Sequence, residues 1–293
     1  MGFGPYLLLA TLEGLVQAAV LSITAAGLSL VFGVMRVVNV AHGEFVMLGA
    51  VIAWFTASLL TGHPAMGFAA ALLVSPLLVG AVAFASERVV LRRLDYNPEA
   101  TIVATIGLLY ILQQTVLLVY GPDARPVDPP FYYTIRFPWF GYSAYKLFVI
   151  GAAIVIMGGI WFVLQKTRAG LVMRAAQYDR ETAQAFGIPV DRVSAWVFAL
   201  GAMLAAIAGV LVVPIQQAHY LMGADPLLLS FIVVIIGGLG SMSGTVLAAV
   251  LVGLSDGIIS MMFSPTLAKM VSTLLVALVL VFRPNGLLGK AAR

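Results

Sequence analysis

The sequence predicts an all-α integral membrane protein: a bundle of eight or nine transmembrane helices with two glycine-interrupted joins and a short cytoplasmic helix. Three observations lead there. Of 293 residues, 62% are hydrophobic and 10% charged, with a mean hydropathy of +1.06; a soluble domain carries roughly 25% charged residues. Uncharged or nearly uncharged runs recur along the whole chain. The basic residues gather in three clusters between and after those runs.

A spanning helix needs about 20 mostly apolar residues. Suitable runs fall at 14–35, 45–62, 66–86, 100–119, 147–164, 195–215, 227–255 and 266–282. The first reads as a membrane span and not as a removed signal peptide, because no basic residue precedes it. The run 227–255 would make one helix about 43 Å long, too long for a hydrocarbon core of about 30 Å. Its middle, GGLGSMSG at 237–244, is a poor helix interior. The run therefore divides into a short span ending near Leu239 and a second at about 243–262. The whole chain, 1–293, reads as a single transmembrane domain.

The basic clusters are Arg88, Arg92 and Arg93; Lys166, Arg168, Arg174, Arg180 and Arg192; and Arg283, Lys290 and Arg293. The positive-inside rule puts all three in the cytoplasm. With the N-terminus outside and the C-terminus cytoplasmic, nine crossings fit. The net charge of +4 reads the same way, as cations retained on the cytoplasmic side, and not as affinity for nucleic acid. The loop 120–145, rich in proline and aromatic residues, is then external, as an ordered cap or interfacial segment without helix.

Two joins lack a proper polar loop. NVAHGE, residues 39–44, links the first two spans, and GGLGSMSG links the seventh and eighth. Paired glycine-interrupted segments in two halves of a chain mark translocation pathways, because irregular backbone at membrane depth needs protein or water to satisfy it. The pathway candidates are Asn39, His42, Gly43 and Glu44 in the first join, and Gly237, Gly238, Gly240, Ser241 and Gly244 in the second. Gln113 and Gln114, polar within a span, join them. Tight interhelical turns, and glutamines acting as interhelical glue, are the plainer readings. Asn39 and His42 could cap the next helix, Gly43 allows a positive φ, and Glu44 suits the first turn of a helix. Both joins are expected toward the cytoplasmic half.

The segment 165–194 is the longest polar stretch besides the external loop. Asp179 reads as an N-cap and Gly187 as a stop, bounding a short helix at about 180–186 that ends in Phe186. A short helix of mixed charge with an exposed aromatic suits a groove on another protein. The chain encodes no energy source. It has no phosphate-cradling G-x-x-x-x-G-K-[ST], no metal-ligand cluster, no cysteine and no nucleophile set. Neither catalysis nor a cofactor in this chain is expected.

Taken together, the motifs resemble a known family. NVAHGEFVMLGA, GGLGSMSGTVLAAVLVGL, RAGLVMRAAQYDRETAQAFGIPVDRV, VLVFRPNGLLG and YGPDARPV are similar, in order, to stretches of the membrane permeases of bacterial ABC importers for branched-chain amino acids. The chain is most similar to the shorter, H-type subunit. The resemblance implies a permease in the bacterial inner membrane, paired with a second homologous permease and two cytoplasmic ATPases that use the ATP, and supplied by a soluble binding protein. It assigns ATPase coupling to Arg174, Ala175, Asp179, Glu181, Ala183 and Gly187, so that the short helix becomes a coupling helix. The E-A-A-x-x-x-G pattern of importer permeases is incomplete here, which leaves the docking residues open. Relatives that move urea or short amides look alike. An ion-coupled carrier using Glu44 or Asp256 is the rival outside the family.

Overall fold

The computed structural model describes residues 2–283 and 285–289. Eight of its helices are long and apolar enough to cross a membrane. In chain order the elements begin with α1 (Phe3–Met35), α2 (His42–Leu59) and α3 (Pro64–Val89), followed by a 3-10 turn (Leu91–Leu94) and α4 (Pro98–Tyr120). A small hairpin follows, β1 (Thr134–Arg136) paired antiparallel with β2 (Gly141–Ser143). Then come α5 (Ala144–Lys166), α6 (Arg168–Tyr178), α7 (Arg180–Ala185) and α8 (Val190–Val212). The last are α9 (Ala224–Gly237), α10 (Met242–Met262) and α11 (Pro265–Phe282). At 14 residues, α9 is about 21 Å long and falls short of a full crossing. Lys290, Arg293 and Pro284 of the C-terminal motif lie outside the described residues.

Helix α1 is the axis of the bundle, packed by α8, α9 and α10. In lipid, helices associate by close packing, so small residues dominate such contacts. Gly14 faces Gly257 and Ala18 faces Gly253 so closely that a side chain at either of those α10 glycines would strike the α1 backbone. Further along, Thr245 Oγ1 donates to Ser29 Oγ at 3.0 Å. Helix α1 starts eleven residues before its uncharged run because Glu13 has a partner: Lys146 of α5 donates to both carboxylate oxygens at 2.6 and 2.8 Å.

The loop 121–143 contains the β1–β2 hairpin, which the sequence pattern did not indicate. Arg125 pins it. Its guanidinium lies 4.4 Å from the Trp54 ring and 4.6 Å from the Tyr120 ring, and its backbone exchanges two 2.9 Å bonds with Ala218. Tyr120 Oη also donates to the Ala218 carbonyl, at 2.9 Å. The ends of α2, α4 and α8 therefore meet under this loop. The opposite end of the bundle carries α6, α7, the 3-10 turn and the α9–α10 join.

Candidate functional site

The first join starts where Arg36, in the left-handed region (φ 56°), ends α1. Residues 36–41 then run back along α1. Val40 N–H donates to Thr105 Oγ1 (3.2 Å), and Ala41 N–H to Asn39 Oδ1 (3.1 Å). At His42 the chain becomes helical again, with no side-chain cap. Asn39 thus shapes the turn before the helix and does not cap it. His42 Nε2 donates to the Thr24 carbonyl at 2.9 Å; a carbonyl only accepts, so Nε2 carries the proton. Thr24 is about 16 Å from the end of α1, a distance covered by the non-helical residues 36–41, which end in a turn at 39–42, together with the His42 side chain. The break therefore reaches the middle of the bundle and does not stay at its α6 end. The expected hydrophobic interruption is present, but its depth depends on a non-helical climb that no residue pattern announced.

A second descent meets it. After α8 the chain passes Ala218 under the external loop and turns into α9 at Gly223. Gly43 and Gly223 then lie backbone against backbone. A Cβ on Gly43 would run into the Gly223 carbonyl oxygen, and one on Gly223 would stand 2.6 Å from that of Gly43. Gly43 is helical and not at positive φ; glycine is required there by close approach. From this junction α2 runs toward Trp54 and the external loop, while α9 runs to the α6 end. The full-length α2 and the short α9 thus begin at one depth and leave in opposite directions, each with a carboxylate in its first turn, Glu44 and Asp225. Helix N-termini carry partial positive charge that favours such placement.

Asn39, His42 and Glu44 are buried within the chain. His42 meets the ring of Phe45 edge-on (6.4 Å), and Phe45 meets Phe198 of α8 in the same way (6.0 Å). Gln113 is half-buried and Gln114 exposed on α4; the structure does not bring either to the junction.

The second join sits at the α6 end. Gly238 ends α9 with φ 100°, and Gly240 follows at φ 77°, conformations that side chains strain against. Leu287 and Leu288 donate backbone N–H groups to the last α9 carbonyls, Ile236 (2.7 Å) and Gly237 (3.2 Å). Gly237 packs on the Gly244 backbone, and Ser241 Oγ caps α10 by accepting from Gly244 N–H at 3.3 Å. Gln177 of α6, absent from the sequence candidates, donates Nε2–H to the Gly240 carbonyl at 2.9 Å and touches Gly33 of α1. This one side chain ties the segment 165–194 to the join.

That segment is more helical than expected, since α6 precedes α7. Arg174 donates to Gln165 Oε1 at 2.6 Å. Asp179 caps α7, accepting from Thr182 N–H (3.0 Å) and Thr182 Oγ1–H (2.6 Å). These bonds hold its carboxyl below the usual range. Gly187 (φ 80°) closes α7 while Ile188 N–H donates to the Ala183 carbonyl (3.0 Å), a common helix stop. Ala183 is buried, whereas Ala175 is half-buried and Glu181 exposed. Tyr178 and Phe186 are each 83% exposed. Arg180 anchors α7 to the scaffold, bonding Asp191 of α8 (2.9 Å) and stacking 4.5 Å over Tyr96. Tyr96 Oη donates to buried Glu87 of α3 at 2.5 Å. Burial and the Glu87 carboxylate keep that phenol protonated.

The chain is a helical membrane bundle in which α2 and the short α9 diverge from one glycine contact and a helix pair is tethered at one end. Residues 10–280 match the family model described as "Branched-chain amino acid transport system / permease component". The chain belongs to that family. It is 29% identical to the high-affinity branched-chain amino acid transport system permease protein BraD of Pseudomonas aeruginosa, covering 95% of this chain and 94% of the relative. It is 29% identical to LivH of Escherichia coli, covering 97% and 96%. Among solved structures, PsaBC from Streptococcus pneumoniae in complex with Fab is similar over 93% of this chain and 91% of that one. Its TM-score is 0.50 at 12% identity, which speaks for the fold alone.

Proposed function

We propose that this chain is one membrane permease of an ATP-driven importer that moves branched-chain amino acids inward. It works beside a second homologous permease, over two cytoplasmic ATPases and under a soluble binding protein. The family match over residues 10–280 carries the reading. The tether from α6 to the α9–α10 join supports it. ATPase movement delivered to exposed Tyr178 and Phe186 would travel through Gln177 to Gly240, and along α9 to the Gly43–Gly223 junction. The N-terminus is outside and the C-terminus cytoplasmic by the positive-inside rule; Arg92 and Arg180 meeting at Asp191 beside α7 supports that reading. Asn39, His42, Gly43 and Glu44 act from within, holding the break that lets α2 and α9 shift. Gly237, Gly238, Gly240, Ser241 and Gly244 form the moving join. The test is co-expression with candidate ATPases and permease, followed by uptake of labelled leucine into proteoliposomes. ATP-dependent leucine uptake supports the reading. Uptake of urea or a short amide in its place would move the substrate class, and uptake by this chain alone on an ion gradient would replace the importer with a carrier.

A further inference from the structure

We infer that Asp225 and Lys269, beside the apolar face of α11, form a station for the charged end of a zwitterionic amino acid. The assignment deepens the reading above and rests on it. Lys269 Nζ donates to both Asp225 oxygens, at 2.8 and 2.9 Å. The pair is not buried inside the chain: the Lys269 side chain is 44% exposed and that of Asp225 66%.

Depth makes this exposure informative. Asp225 opens α9 and lies about 18 Å from Gly237 at the α6 end. It is also one turn from the mid-bundle contact of Gly223 with Gly43. That is inside a hydrocarbon core of about 30 Å. A charged aspartate facing acyl chains is costly; intramembrane charges face a bundle interior or a water-filled cavity. An exposed ion pair at that depth sits more favourably toward a water-filled cavity than toward acyl chains.

Its chemistry selects one guest. A zwitterion can place its carboxylate on Lys269 and its ammonium on Asp225. One internal ion pair is exchanged for two. Beside Lys269, the residues Leu267, Met270 and Leu274 line a groove on α11, apolar enough for an aliphatic side chain. Urea carries neither charge and no aliphatic part.

The chain has no cysteine, so Met270→Cys is its single thiol, and labelling is read on this chain after the assembled importer is separated into its subunits. A charged methanethiosulfonate reagent is expected to modify the introduced thiol, and leucine-loaded binding protein with ATP is expected to change the rate. Lys269→Met and Asp225→Asn are each expected to lower leucine uptake at least ten-fold with the subunits still co-purifying, while Lys269→Arg keeps it. An unreactive thiol in the Met270→Cys variant, as at a lipid face or a permease–permease contact, overturns the assignment. So does full uptake by the exchanged pair, Asp225→Lys with Lys269→Asp, which would make the contact only a structural ion pair. Leucine uptake without labelling overturns this assignment alone. Labelling without any leucine uptake by the unmodified importer overturns the functional reading, and the zwitterion with it.

Discussion

At Gly43 there is no room for a side chain, because the Gly223 backbone already occupies the space. Overpacking a fixed contact costs about 1–3 kcal/mol, and here the obstacle is backbone on both sides. Gly43→Ala is therefore expected to lower the thermal midpoint in detergent and to remove uptake. His42→Gln loses one bond to the Thr24 carbonyl, which a glutamine amide can partly replace, and is expected to keep measurable uptake. The reverse ranking would mean that the imidazole carries chemistry and not just position. The sequence marked Gly43 as special but for a different reason, a positive φ. Close approach depends on a partner 180 residues away, and no local pattern encodes it. Asp225 and Lys269 escaped notice for the same cause: each looks like an ordinary charge near a span end until α9 and α11 are brought together.

Among the elements, α7 was the most legible, since Asp179, Gly187 and the intervening polar turn are local signals, and the helix ends within a residue of its expected stop. Helix α6 was not, because its tie to the bundle is Gln177 to a carbonyl of another element. Gln177→Leu keeps the helix but cuts that tie. ATP hydrolysis by the assembled importer is expected to persist while leucine moved per ATP falls about ten-fold; uptake and hydrolysis measured in one preparation decide it. The cap of α7 also has a pH dependence with a fixed sign. The Asp179 carboxyl is held low by Thr182, so its contribution is complete above the ordinary carboxylate range and lost as pH falls through the lowered value. Amide protection over 180–185, corrected for the intrinsic pH dependence of exchange, should fall below about pH 4 and show no such step in Asp179→Asn, which still caps but does not titrate. An unchanged step in that variant would place its origin elsewhere.

For the molecule as a whole, hydrophobic runs were enough to predict the membrane bundle, and the GGLGSMSG interruption was enough to divide the long seventh run. The depth of the breaks was not legible. It arises because residues 36–41 climb to Thr24 and residues 213–223 descend to Gly43, so that α2 and α9 start together and diverge. Such an arrangement lets one end of the bundle influence the other: α9 joins the junction to the α9–α10 turn, and Gln177 joins that turn to the segment bearing α7. The most direct test is ATP hydrolysis in reconstituted membranes holding this chain with its partner permease and ATPases. Leucine-loaded binding protein is predicted to stimulate hydrolysis several-fold over unloaded binding protein, and Gln177→Leu to leave that hydrolysis without matching uptake. Equal hydrolysis with loaded and unloaded binding protein, alongside leucine uptake driven by an ion gradient without the ATPases, would contradict the account.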